Sequence, residues 1–376
     1  MGQIYSTINT IANNLGYTGQ AVVDATTFAA FASATISGGV EPVYSTLYDM
    51  VGKTVVSIDE AEDSERGITV SAFEYGAILQ KLSFITQQAQ TASEWDIANP
   101  ESPYAVTAKT GIVQKFFEVS IPTFSWQDVS YTNQLKTAFH TPEALIGFTD
   151  ALYIRMRNAY KIAKKGLADN AVGAFMATIF SATTDANASR RVRHLLTEFN
   201  ALRGTSYKGN EAYLDKDYLE YIRKVLVTDK KNLDQLTHLY NTIGAVGSEV
   251  PIDRRSKDED LNLDISLNVA SAYAKYYGDT FNDSYVKLPR HNEVVNWGIA
   301  TSPNEVKSSI DGGSTTVDIA NIIAFMYDKA GVVATMDKSR FVSMYDQWND
   351  RNVFKLTAER RYMVDPTENG IIYIND

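Results

Sequence analysis

Hydrophobic residues recur three and four positions apart at Leu145, Phe148, Leu152, Met156, Ala159, Ala163 and Leu167. That spacing lines them up on one stripe of a helix. Thr141 suits the N-cap, Pro142 the first helical position, and Glu143 the first turn, where the helix dipole favours a carboxylate. Arg157, Lys161, Lys164 and Lys165 fall on the opposite side. Beyond them the pattern rotates, and Val172, Phe175, Met176 and Ile179 make the formerly basic side apolar, so the far end must meet a different surface. An unbroken helix from Pro142 to Phe180 would be about 58 Å long. A compact ball of this chain length is very roughly 55 Å across, so the helix reads as a spine spanning the molecule. Gly166 and Gly173 are where it would break, each costing roughly 1 kcal/mol against alanine.

Two strand-like runs precede the spine, Phe73 to Ile85 and Ile112 to Ile121, around a long polar loop, Thr86 to Gly111, with Pro100 and Pro103. The second run passes through Pro122 and Trp126 into the helix. Residues 1–40 are rich in Ala, Thr, Asn, Ser and Gly and read as an arm, with a short helix at Val22 to Ala34 ended by Gly38-Gly39. After the spine, Arg190, Arg191 and Arg193 mark a polar patch, and Leu214 to Leu226 and Asp229 to Tyr240 read as two helices. Leu261, Leu263, Ile265, Leu267 and Val269 alternate with Asn262, Asp264, Ser266 and Asn268, which predicts a half-buried strand. A turn at Asp311 to Ser314 precedes the apolar run Val317 to Tyr327. Gly331 to Thr335 is a short strand candidate, and Phe354 to Ile374 is strand-like on both sides of Asp365-Pro366.

Composition narrows the function more than any motif does. The 376 residues include no cysteine, which removes disulfides, thiolate metal sites and a cysteine nucleophile. A net charge of −10 argues against a protein whose main task is gripping nucleic acid, though not against one that encloses it. No secretory signal or membrane span is expected, and Met1-Gly2 with Ser6 matches the myristoylation pattern only formally. The acidic cluster Asp59, Glu60, Glu62, Asp63 and Glu65 reads as a solvated loop. Gly52-Lys53-Thr54 ends like a P-loop, but Leu47 replaces the required glycine. Asp258, Asp260, Asn262 and Asp264 imitate a calcium loop, with Leu263 at the glycine position and Val269 at the bidentate glutamate, so an acidic approach to a strand is the better reading. His140, His194, His238 and His291 form no ligand pair, and Ser284 with Lys287 is an isolated Ser-x-x-Lys spacing. No catalytic, cofactor-binding or metal residue can be named, and no enzyme activity is expected. The basic spine face has three readings: approach to packaged nucleic acid, pairing with acidic clusters of a neighbouring subunit, or a solvated face. The 22 tyrosines fit either interface or half-buried core positions.

The order of elements, with Val119-Ser120-Ile121-Pro122 leading to the helix from Thr141, Asp150-Ala151-Leu152 and Asn158-Ala159 within it, and Gly331-Val332-Val333-Ala334 followed by Val364-Asp365-Pro366, resembles the major capsid proteins of tailed bacteriophages. The resemblance covers essentially the whole chain. It implies an α+β fold of the Hong Kong 97 type: an N-terminal arm (1–40), a connecting segment (41–72), an extended hairpin or E-loop (73–130), the spine of a peripheral domain (131–184), an axial domain (185–335) and C-terminal strands returning to the peripheral domain (336–376). It further implies hexamers and pentamers closing into an icosahedral virion shell around double-stranded DNA that is not bound by sequence. Scaffolding, portal and decoration proteins would be partners, with assembly in the bacterial cytoplasm and no membrane. Lys109 and Lys115 would be donors if the covalent cross-links of some relatives formed here, and N-terminal cleavage is not expected. An encapsulin-like compartment shell, a portal or tail protein, and a hydrolase whose carboxylates meet only in three dimensions remain alternatives.

Overall fold

The Thr141 hydroxyl accepts a hydrogen bond from the Ala144 amide at 3.1 Å, and from that cap one helix runs to Ser181. The computed structural model describes residues 9, 12–13, 17, 19, 21–37, 68, 78–84, 112–118, 123–131, 140–182, 187–241, 252–277, 287–297, 304–310, 315–349 and 351–376. The spine, Pro142–Ser181, has 40 residues and is therefore about 60 Å long. Gly166 and Gly173 do not interrupt it, and at Gly173 the side chain of Val306 lies 3.4 Å from where a Cβ would sit. It is α2 in chain order. The N-terminal helix α1, Ala25–Ser37, starts later than its apolar pattern suggests, because Asp24 accepts from the Thr27 amide at 2.7 Å and Val22 is tied to Asn9 instead.

Strands β1, Ile78–Phe84, and β2, Ile112–Glu118, pair antiparallel, as their patterning predicts. A strand that the sequence did not signal follows Pro122: β3, Thr123–Tyr131. It completes a three-stranded antiparallel sheet, β10–β11–β3, with β10 spanning Val332–Asp346 and β11 spanning Arg351–Val364. The short strand expected at Gly331 to Thr335 is thus only the beginning of a 15-residue strand. The charged residues Asp337, Lys338 and Arg340 disguise its middle, where the register shifts by a bulge.

The second sheet is mixed, in the order β4–β12–β9–β5–β6. Its strands are Val192–His194, Gly370–Ile374, Ile322–Asp328, Leu261–Ser266 and Asn292–Val294. Successive residues of β9 and β12 face two different layers. Phe325, Tyr327, Ile372 and Ile374 join the second half of α2 and the hairpin β7–β8 (Val306–Ile310 and Thr315–Ile319). Ala324, Met326, Ile371 and Tyr373 join three helices on the other face: α4 (Leu195–Arg203), α5 (Lys216–Leu233) and α6 (Leu267–Tyr277). The four-residue helix α3, Ala188–Arg191, leads into β4. Because both faces are covered, every residue of β9 is buried, which explains its unbroken apolar run. The segment 336–376 therefore divides, its long hairpin belonging to one sheet and β12 lying second in the other.

Three further expectations need correction. The helices read at 214–226 and 229–240 are one helix, α5, capped by Asp215, with Tyr218, Leu219, Ile222, Val225, Leu226 and Leu233 forming a single buried stripe; residues 234–241 are irregular, with Thr237 bridged to Arg254. The strand read at 261–269 ends at Ser266, and Leu267 and Val269 belong to α6. Its polar face is buried rather than wet, because Asn262 donates to Tyr327, Asn292 donates to Asp264 at 2.9 Å, and Ser266 donates to Asn304 at 2.8 Å. The polar patch at Arg190 to Arg193 is half internal: Arg191 is buried and donates to the carbonyls of Gly370 and Pro366, both at 3.3 Å.

Candidate assembly surfaces

The second half of α2 carries alanines at 168, 171, 174 and 177, all buried, and this small-residue surface lets β7, β8 and β12 approach closely. Phe175 is the hub. Its ring meets Phe325 edge-on at 5.7 Å and Tyr327 at 6.4 Å, and Phe325 stacks on Tyr327 at 4.7 Å. Gly331 and Gly370 both lie against this end of the helix; a Cβ on Gly331 would sit 2.8 Å from Phe175, and one on Gly370 would sit 2.7 Å from Ile179. The first half of α2 is different. Leu145, Leu152, Met156 and Tyr160 are buried, while Ile154 and Ile162 are exposed on the other side. Among the four basic residues of that side, Arg157, Lys161 and Lys164 have partners, and Lys165 is exposed.

Between α4, α5 and the sheet lies a charged knot. Arg193 donates to Asp229 at 2.8 Å and to both carboxylate oxygens of Glu198, while Tyr373 donates to Asp229 at 3.0 Å and Tyr221 to Glu198 at 2.8 Å. One cation thus serves two carboxylates. Burial works against the charge of Arg193, but Glu198 and Asp229 outweigh it and raise its pKa. Burial also pushes the Asp229 carboxyl up, and the attraction of Arg193 only partly offsets this. The deeper carboxylate bears the cost of sharing. Burial similarly lifts the Tyr221 and Tyr273 phenols to about 12.

The other polar residues singled out from the sequence are held separately. His194 bonds Asp376 at 2.5 Å, His238 bonds Asp253 at 2.9 Å, His291 faces the Pro289 carbonyl at 2.7 Å, and His140 is exposed. Asp258 and Asp260 sit in an exposed turn, whereas Asn262 and Asp264 are inside the sheet, so these four residues do not converge on an ion. Among the described residues no group of three or more His, Asp or Glu could hold a metal ion, and no helix is long and apolar enough to cross a membrane. A cleft of about 580 Å³ is lined by four carboxylates. Asp253 bonds His238, Asp328 accepts from the Ala330 amide and Glu368 pairs with Arg254 at 3.3 Å, while Asp260 lies in the exposed turn at its edge, beside the cations Arg254, Arg255 and Lys329. Lys115 lies in β2 opposite Lys81, and Lys287 is exposed. Lys109, Ser284, Gly52-Lys53-Thr54, the acidic cluster at 59–65, Met1-Gly2 with Ser6, the phrase Val119 to Pro122, the loop 86–111 and the turn at 311–314 lie outside the described residues.

What stands out instead is shape, a 40-residue spine beside a three-stranded antiparallel sheet and a mixed five-stranded one. A family model, the Phi29-like phage major capsid protein, matches residues 8–374. The chain belongs to that family. The solved capsid of Staphylococcus phage Andhra superposes with a TM-score of 0.51 at 9% identity, covering 81% of this chain and 82% of that one. A chain in the structure of the head fibre and inner core protein of bacteriophage P68 superposes with a TM-score of 0.52 at 10% identity, covering 82% and 83%. At such identities the likeness speaks for the fold, which is α+β of the Hong Kong 97 type. A search of the curated proteins found no match. The chain is a bacteriophage capsid protein, a structural component of the virion.

Proposed function

We propose that this capsid protein assembles as hexamers and pentamers that close into an icosahedral shell around double-stranded DNA. The observation that carries the reading is the family match over residues 8–374. The geometry supports it. A subunit with a spine about 60 Å long and two extended hairpins has more reach than its own core needs. Residues 1–40 and 73–130 would extend onto neighbours, 131–184 with the β10–β11 hairpin would form the peripheral domain, and 185–335 would form the axial domain. In that scheme β12 belongs with the axial sheet, since it pairs with β9 and β4. A charge of −10 suits a wall that encloses DNA without gripping it. Each contact can be weak, because closure makes later contacts effectively intramolecular. Assembly would take place in the bacterial cytoplasm, with scaffold, portal and decoration proteins as partners.

Sedimentation of the purified full chain over a concentration series tests this. Species of five and six times 41.7 kDa, or larger closed particles, are expected. A chain that stays at 41.7 kDa throughout, alone and with the other head proteins of its phage, contradicts it.

A further inference from the structure

A groove of about 420 Å³ runs beside the second half of α5. Its volume lies within the range of small-ligand sites, about 300–1,000 Å³. Arg223, Val227, Lys230, Lys231 and Asp234 line it from the helix and its C-cap, on one face by their spacing of three and four. Lys287 and Asp258 face it from two other segments. Four cations thus meet two carboxylates, and both carboxylates are matched. Asp258 pairs with Lys230, and Asp234 is held at 3.1 Å by Arg255, which lies outside the groove. The lining is net positive in a chain whose net charge is −10.

Helix electrostatics explain only part of this charge. Lys230 and Lys231 lie in the last turn of α5, where cations complement the helix dipole. Arg223 lies two turns earlier and Lys287 on another segment, so the dipole calls for neither. They are joined instead to each other, since Arg223 Nε donates to the Lys287 carbonyl at 3.1 Å and ties the helix to the segment that follows it in the wall. Val227, Leu261 and Leu288, all half-buried, complete the wall with apolar surface. Apolar neighbours lower the local dielectric and strengthen the pull of the cations on an anion.

We propose that this groove binds a compact oligophosphate anion, with Arg223, Lys231 and Lys287 as its contacts. Arginine and lysine donate charge-assisted hydrogen bonds to phosphate oxygens, and a chain of linked phosphates reaches cations on both sides of the groove at once. A DNA duplex is too wide to enter and would meet only the exposed rim at Lys231 and Lys287. The bound anion would bridge α5 to the segment at Lys287 and brace this side of the mixed sheet. The inference concerns the single subunit and does not depend on how subunits assemble.

The test titrates the full-length chain with inorganic tripolyphosphate, read by calorimetry and by the thermal unfolding midpoint. Saturable binding of one anion per chain is expected, with a midpoint that rises with ligand concentration. Replacing Lys231 and Lys287 together by glutamine should weaken binding about tenfold or more. K231Q alone, at an exposed helix position, is the second variant; it should keep the ligand-free midpoint and still weaken binding severalfold. Sodium sulfate at equal ionic strength should not reproduce the rise, and a DNA duplex at equal phosphate concentration should not displace tripolyphosphate. Absence of saturable binding, unchanged affinity in K231Q and in the double variant, an equal rise with sulfate, or displacement by the duplex would each overturn the inference.

Discussion

Gly331 and Gly370 sit where the end of the spine meets the second sheet, and neither has room for a methyl group. Alanine at either position should cost about 1–3 kcal/mol of unfolding free energy through overpacking against Phe175 or Ile179. Gly166, with nothing within 4 Å of its would-be Cβ, should respond the other way: G166A should add up to roughly 1 kcal/mol, measured by the same urea titration. The Arg193 knot gives a pH-dependent counterpart. Because burial raises the Asp229 carboxyl above its unfolded value, its contribution to stability is present in acid and is lost as pH rises through the folded pKa. Replacing Arg193 by methionine removes the one cation beside Asp229, so R193M should cost about 3–5 kcal/mol near neutral pH. That deficit should shrink as the pH falls toward the carboxylate range, whereas a loss independent of pH would show that Asp229 is not the group left uncompensated. The cost of Gly166 in the spine was legible in the sequence, but the partners of Arg193 were not. Arg193 and Glu198 are close in the chain, but Asp229 lies 36 residues beyond Arg193, and Tyr373 joins them only because β12 comes back beside β4. The polar alternation of Asn262, Asp264 and Ser266 looked solvent-facing for the same reason, its partners Tyr327, Asn292 and Asn304 being remote in the chain.

At the scale of elements, local signals fared better. The spine was readable from its cap, its first-turn proline and its 3.6-residue period, and T141A should cost about 1 kcal/mol of stability through the lost cap. The rotation of its apolar stripe after Leu167 likewise marked a change of partner. That partner is the second sheet with β7–β8, so amide exchange from 167 to 179 should be slower than from 145 to 160, where one side is open. Uniform protection along the helix would contradict the two-partner description. Strand β3 was missed because its pairing is long-range, finding β11 more than two hundred residues away, whereas β10 pairs locally with β11 in a hairpin and was missed for its charged middle. Their charged and hydroxyl residues suppress the run of apolar residues by which strands are recognised. The join between the two parts of α5 was misread for a simpler reason, since Val227 and Thr228 are weak helix formers that tertiary contacts override.

For the whole molecule, the arrangement suits a structural component of a capsid. One sheet is buried between the spine and three helices and carries both hydrophobic clusters. The other ends in a hairpin that carries Trp348 into solvent. The spine touches both, so it couples the compact part to the projecting part. Order of elements was enough to suggest this fold from the sequence; which residues meet a neighbour was not, since a subunit's outward surface leaves no periodic trace in its own chain. Cryo-electron microscopy of particles formed by the full chain tests the central claim most directly. The account predicts closed icosahedral shells in which every subunit keeps the spine and the two sheets, with rings of six and five around the lattice points. Single unassembled subunits, or open filaments that never close, would contradict it.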